Sequence, residues 1–305
     1  MKIDRPGIYP DLSDAAYHAD PAPEPSLSST IARCLIGRSP LHAWTAHPRL
    51  NPAYQPRVSE AFDIGNVCHR LLLGRGAEFA VVDAPDWTRK ADREARDAAR
   101  AAGQVPILAD QYQRALDMRT AATDALADFG IDLSVMQREV AFVAQIDDVW
   151  CRARLDAWDG RTIYDYKTCI SAAPDACIRA AASYGYDTQA AWYSSVVEAV
   201  TGETPRFRFI FQEKEPPHEV SVVELVDDMV DEADWMSAAR EKCVVARAVW
   251  RRCLDRDEWP GYPRAVALLG APGWHTAAWR NRPSTPDELE AAQRWQAPIE
   301  ETENV

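Results

Sequence analysis

The chain has 305 residues, 47% hydrophobic and 27% charged, with a formal net charge of −13 at pH 7, the proportions of an ordinary globular protein. No run approaches the roughly 20 apolar residues that a membrane span requires, and the opening MKIDRPGIYPDLSD lacks the apolar core of a secretory signal, so a cytoplasmic location is expected. The acidic balance argues against non-specific attraction to nucleic acid, although a local field or bound cations can reverse the sign within a cleft.

The first ~55 residues are rich in proline, serine and turn signals, with one short helix expected near 29–35. A helix follows over 59–73, where Ala61, Ile64, Val67, Cys68, Leu71 and Leu72 recur at helical spacing. Residues 88–102 are charged and helix-prone, 104–108 read as a short extended piece, and 110–128 as an amphipathic helix closed by Gly130. Three strand-like runs come next, at 138–144, 149–157 and 161–167, then helices at 172–183 and 188–200. A strand pair (206–213 and 219–225) and a long helix (227–253) complete the pattern. The segment after Arg282 is proline-rich and acidic, and the last ~10 residues are expected to be disordered. The order predicts one α/β domain over 1–285, with a mixed central sheet flanked by helices and an N-terminal helical elaboration, and a flexible acidic tail over 286–305.

The hairpin at the centre carries the first chemical signal. Taking Asp159-Gly160 as a two-residue turn pairs Trp158 with Arg161, Asp156 with Ile163, and Arg154 with Asp165. Arg154, Asp156, Asp165 and Lys167 then project from one side of the sheet, with Asp156 and Asp165 as diagonal neighbours roughly 6–8 Å apart at Cβ. Two carboxylates on one face repel unless a cation or a shared proton relieves them. Oxygen ligands with open positions suit Mg²⁺ or Mn²⁺, and such an ion can activate water against a phosphate. A lysine two residues beyond a ligand is placed to stabilise developing charge. Spacing alone also fits a solvated strand face with ordinary salt bridges, such as Arg154 with Asp165.

Other residues agree with the metal reading. His69 lies on the 59–73 helix, one turn after Gly65, whose missing side chain permits close approach. Gln189 and Tyr193 stand at i, i+4 on the helix after the hairpin and share a face. A lone helical histidine is commonly a satisfied packing residue, and the Gln/Tyr pair commonly a helix contact.

GNVCH (65–69), REVAF (138–142), CRARLD (151–156), DYKT (165–168) and QAAWY (189–193), in this order, resemble the motifs of the PD-(D/E)xK nuclease superfamily. They are most similar to its RecB-like branch, and within it to the RecE-type exonucleases, the exonuclease VIII family. The opening GIYPDLSDAAYHAD, the segment SLSSTIARCLIGRSPLHAW, the Arg89-Lys90 pair and DEWPGY at 257–262 extend the resemblance up to about Tyr262. It implies that His69, Asp156, Asp165 and the carbonyl of Tyr166 ligate the metal, with Lys167 as the catalytic lysine. Glu139 would stand in a supporting place or at a second ion, and Gln189 and Tyr193 would contact substrate or support the site. It further implies digestion of linear duplex DNA from the 5′ end to leave 3′ single strands for recombination, a homo-oligomer, and a single-strand annealing partner of the RecT type. Two departures stand out: Tyr166 is the central residue of D-x-K, and Leu155 stands where the RecE-type pattern often has proline.

Arg89, Lys90, Arg93, Arg96 and Arg100 form a basic run suited to gripping a DNA backbone, or equally to i, i+4 pairing on a solvated helix. Most of the 11 tryptophans read as core, with Trp87 beside the basic run as the candidate stacking residue. The seven cysteines contain no CxxC pair; they read as buried small hydrophobes. Cys243 and Cys253 alone cannot supply an iron–sulfur cluster, so none is expected. The alternatives are an endonuclease of the same superfamily and a catalytically silent DNA-end-binding or assembly protein on the same fold.

Overall fold

Apolar alternation and helical spacing convert into secondary structure much as the sequence suggests. The computed structural model describes residues 3–55, 60–227, 234–280, 287, 288 and 290. By contacts the chain divides into Met1–Gly261 and Tyr262–Val305. In chain order the first unit contains β1 (Gly7–Tyr9), α1 (Asp14–His18), β2 (Leu27–Ser28), α2 (Ser29–Gly37), α3 (Pro40–Thr45), α4 (Glu60–Leu73) and β3 (Phe79–Val82). It continues with α5 (Lys90–Ala101), β4 (Val105–Leu108), α6 (Ala109–Asp128), β5 (Gln137–Ile146), β6 (Val149–Trp158), β7 (Thr162–Cys169) and α7 (Pro174–Tyr184). The remainder is α8 (Tyr186–Thr201), β8 (Arg206–Glu213), β9 (Val220–Val223) and α9 (Trp235–Arg256). The second unit contributes α10 (Gly273–Arg280). The start of the expected 227–253 helix and nearly all of the expected 286–305 tail fall outside the described residues.

The main sheet runs β1-β5-β6-β7-β8-β9, with β2 adding a short parallel pairing to β6. It is mixed: β5, β6 and β7 form an antiparallel meander, β7 and β8 are parallel, and β9 returns antiparallel. The parallel step needs a crossover, which α7 and α8 provide. One face packs Leu155, Ile163, Phe209 and Phe211 against Ile31 and Leu35 of α2, Trp192 and Val196 of α8, and Trp250 of α9. The opposite face packs Tyr164, Tyr166 and Ile210 against Val67 and Leu73 of α4 and Met118 and Leu126 of α6. This is the expected mixed sheet between helices. The expected 104–108 strand forms β4, paired in parallel with β3, which was not anticipated.

The N-terminal segment is more structured than its composition suggests. β1 lies on β5, and Ile3, Leu12 and Tyr17 pack with Ala141, Val143 and Trp150. Beneath it is a buried polar cluster. Asp20 Oδ1 meets Arg152 Nη1 at 2.9 Å, Oδ2 accepts from Ser26 N at 2.9 Å, and His47 Nε2 lies 3.3 Å from Oδ2.

The β6–β7 turn differs from expectation. Trp158 pairs with Ile163, and Ala157 with Tyr164. The carboxylate of Asp159 accepts from the backbone N–H of both Arg161 and Thr162, at 2.8 and 2.7 Å. That side-chain turn lengthens the two-residue loop to four, and the register slips by two. A slip of two preserves the side each residue faces, where a slip of one would reverse it.

Candidate metal centre

The site forms where β5 and β6 lose their regular alternation. Met136 and Val140 share parity yet pack on opposite cores, and so do Leu155 and Ala157. Both β5 and β6 therefore exchange faces between these residues. Glu139 and Asp156 occupy the exchange, face to face by the register of their neighbours Arg138↔Ala157 and Val140↔Leu155. Glu139 has φ +55°, an uncommon backbone state for a non-glycine residue and one concentrated at functional sites. β6 and β7 part company here too, since their pairing ends at Ala157↔Tyr164. In place of the ladder, Tyr166 N donates to Asp156 Oδ2 at 2.8 Å.

Into this opening α4 delivers His69. Its Nδ1 lies 3.0 Å from Glu139 Oε1 and its Nε2 3.1 Å from Asp156 Oδ1. One ligand atom from each of His69, Glu139 and Asp156 fits within 4.8 Å of the others. Beside them Asp165, almost wholly buried, accepts from Gln189 Nε2 of α8 at 2.7 Å, and its other oxygen contacts the Lys167 ammonium. Lys167 Nζ also stands 5.2 Å from the centroid of the Tyr186 ring.

The titration behaviour reflects this crowding. Burial opposes the charge on His69, but Asp156, Glu139 and Asp165 outweigh it and raise the imidazole to about 9. Burial, reinforced by the charge of Asp156, lifts Asp165 to about 6 against the pull of Lys167. Burial also raises Glu139. Asp156 is held below the ordinary carboxylate value, because His69, Lys167 and the Tyr166 N–H overcome its burial. Lys167 is raised, since the two aspartates outweigh its desolvation. A protonated imidazole between two carboxylates supplies the positive charge that the cluster requires.

This donor set fits a divalent cation: carboxylate oxygens suit Mg²⁺ and Mn²⁺, and the imidazole tilts it toward Mn²⁺. The cluster opens on a cleft of about 450 Å³, lined among others by Asp14, Tyr17, Ser29, Arg152 and Tyr193.

The structure thus brings together His69, Asp156, Asp165, Lys167, Glu139, Tyr166 and Gln189. Glu139, expected in a supporting place, stands inside the cluster, its Oε1 3.0 Å from His69 Nδ1. Tyr166 contributes its N–H to Asp156, and its ring is buried, with the hydroxyl on Gln212. Tyr193 lines the cleft. The single flat face expected for Arg154, Asp156, Asp165 and Lys167 is interrupted at Asp156. Arg154 lines the same cleft: its Nε holds Glu139, Nη1 donates to the Leu12 carbonyl at 3.2 Å, and the guanidinium stands 5.7 Å from the Tyr17 ring. Arg89 and Lys90 are exposed at the start of α5 and are not among the residues lining the cleft. Sequence reasoning missed Tyr17, Asp20, His47 and Arg152. Tyr17, Asp20 and Arg152 stand inside motifs quoted for the resemblance (7–20 and 151–156), but nothing in the sequence joined them.

Comparison with known proteins agrees with this architecture. A search of curated proteins finds no match. A crystal structure from Eubacterium rectale, of a protein provisionally named an exonuclease, superposes with a TM-score of 0.56 at 13% identity, over 89% of this chain and 96% of that one. A second crystal structure, of SSO0001, is 14% identical over 63% of this chain and 88% of that one; its TM-score of 0.26 is too low to bear on the fold. Residues 39–269 match the family described as a PDDEXK-like domain of unknown function (DUF3799). The match spans most of the chain and every residue of the cluster, so this protein belongs to the PDDEXK-like family, a member of the PD-(D/E)xK superfamily.

Proposed function

We propose that the protein is a metal-dependent deoxyribonuclease that digests linear duplex DNA from the 5′ end and leaves 3′ single strands. The observation that carries the reading is the convergence of His69, Glu139 and Asp156 on one point, with the Asp165–Lys167 pair alongside. His69, Glu139 and Asp156 would hold Mg²⁺ or Mn²⁺, with Asp165 closing the set from β7. The ion's chemistry here is neutralisation of phosphate charge and activation of water. Lys167 donates toward the negative charge that develops on the phosphate oxygens, and Asp165 and Gln189 fix where its ammonium sits. Tyr193 and the Ser29 end of α2 face the substrate across the cleft. Polarity, action on DNA ends, a role in phage-type recombination, a homo-oligomeric state and a RecT-type annealing partner are supported by the order of the RecE-like motifs.

The test uses linear duplex DNA labelled at one 5′ end. Mg²⁺ or Mn²⁺ should release the label, EDTA should stop it, and covalently closed circles should survive. Lys167→Ala should reduce cleavage by at least a hundred-fold while the protein remains folded; full activity in that variant would sink the assignment. Cutting of closed circles would instead identify an endonuclease.

A further inference from the structure

A second cavity, of about 640 Å³, lies at the junction of α2, α7, α8 and α9, lined among others by Arg33, Tyr184, Gly185, Asp187, Trp235 and Lys242. Its volume is that of a site for one ligand of nucleotide size. Arg33 lies across Gly185, where a Cβ would come within 3.1 Å of Arg33 Cδ; together with φ +65° this reserves the position for glycine. Among the described residues the guanidinium gives one hydrogen bond, 2.6 Å from Nη1 to the Tyr184 carbonyl. Its Nε is buried without a partner, and no carboxylate among the described residues reaches it. Two carboxylates also line the cavity. Asp187 is neutralised by Lys242 at 2.6 Å. Asp234 caps α9, its Oδ1 accepting from Met236 N and Ser237 N while Oδ2 is buried without a partner. Gly185 leaves the amino end of the 16-residue α8 without a side-chain cap, and such an end attracts anions. Tyr184 is 64% exposed, an aromatic face available for stacking.

The cavity is also linked to the metal centre. Tyr184 packs on Tyr186, centroids 5.6 Å apart, and Tyr186 in turn receives Lys167. Along α2, Ser28–Ile31 line the metal-centre cleft, whereas Arg33, Ile36 and Gly37 line this cavity. A strand leaving the cleft along α2 therefore meets the cavity about one helical turn on, roughly 5.4 Å.

Resting on the nuclease reading above, we propose that this cavity is a second nucleic-acid subsite for one unstacked nucleotide of a DNA single strand. The base stacks on Tyr184, and the phosphate sits between Arg33 and the amino end of α8. Stacking on an aromatic ring tolerates any base, and a forked guanidinium suits phosphate. A free deoxynucleoside monophosphate shares this chemistry, so the test separates the two sources.

Binding of fluorescent oligo-dT and of dAMP to the full chain is measured in EDTA, where no strand is cut. Oligo-dT should bind far more tightly than dAMP. Tyr184→Ala and Arg33→Gln should each weaken it about ten-fold, with label release from saturating duplex in Mg²⁺ unchanged. Should Arg33→Gln fail to fold, the exposed Tyr184 carries the test alone. Oligo-dT affinity unaltered in Tyr184→Ala overturns the subsite, and dAMP binding as tightly as oligo-dT overturns the strand assignment. Loss of strand binding in the variants of a protein that cuts no duplex would retain the subsite and remove the nuclease.

Discussion

At the scale of single residues, His69 decides how the empty and loaded centres differ. With its imidazole raised to about 9, it is charged at neutral pH and bridges Glu139 and Asp156. The raised value stabilises the metal-free fold: the contribution is complete below the ordinary 6.5 and is lost as pH climbs through about 9. Metal binding runs the other way, because a ligand nitrogen must be neutral. Calorimetric titration with Mn²⁺ at pH 7, in buffers of different ionisation enthalpy, should report release of about one proton per ion. Affinity should strengthen toward pH 9; a pH-independent affinity would remove His69 from the ligand set. In His69→Ala the proton release should vanish.

At the scale of elements, the sequence disclosed the longer helices, the meander and the strand pair because each carries a run of regular period. It also disclosed the ingredients of the centre, since His69, Asp156, Asp165, Lys167 and Gln189 stand in recognisable order. What stayed hidden depends on departures from period. The Asp159 side chain lengthened a turn that the Asp-Gly string assigned to two residues. The face exchange at Glu139 and Asp156 turned Arg154 away from Asp165 toward Glu139. β1 and β2 are three and two residues long, too short for alternation to register, and the Asp20 cluster joins residues far apart in sequence. That cluster fastens the N-terminal segment to β6, the strand bearing Asp156. His47, Arg152 and Ser26 outweigh the burial of Asp20 and hold its carboxyl below the usual 3.8. Its contribution to stability is therefore present above that value and lost as pH falls. Asp20→Asn leaves Arg152 buried without its countercharge and should cost about 3–5 kcal/mol, read as a lower urea midpoint; an unchanged midpoint would show that the cluster does not fasten the segment.

At the scale of the whole molecule, the charge of −13 sets a condition on substrate capture. Duplex DNA carries dense negative charge, and the main site adds carboxylates rather than a basic surface. Attraction must then come chiefly from the loaded centre, because Arg152 is buried and neutralised by Asp20. Fluorescence anisotropy of the cleavage-deficient Lys167→Ala chain with labelled duplex should show tighter binding, by ten-fold or more, on adding Mg²⁺. Equal affinity in EDTA would place the dominant contacts elsewhere, with the exposed Arg89 and Lys90 the first to examine.

Gly65 sits one helical turn before His69, where α4 crosses β7. A Cβ there would stand 3.5 Å from Thr168 Oγ1, ordinary contact distance, so a methyl group fits. The gap between helix and strand at this point is therefore about one methyl group wide, with the Thr168 side chain as its floor. Gly65→Ala should be nearly silent. Gly65→Val should lift the helix, lengthen the reach of His69, and favour wider cations over Mg²⁺ while the protein remains folded; cleavage rates in Mg²⁺ and Mn²⁺, compared within each variant, would register that change of fit.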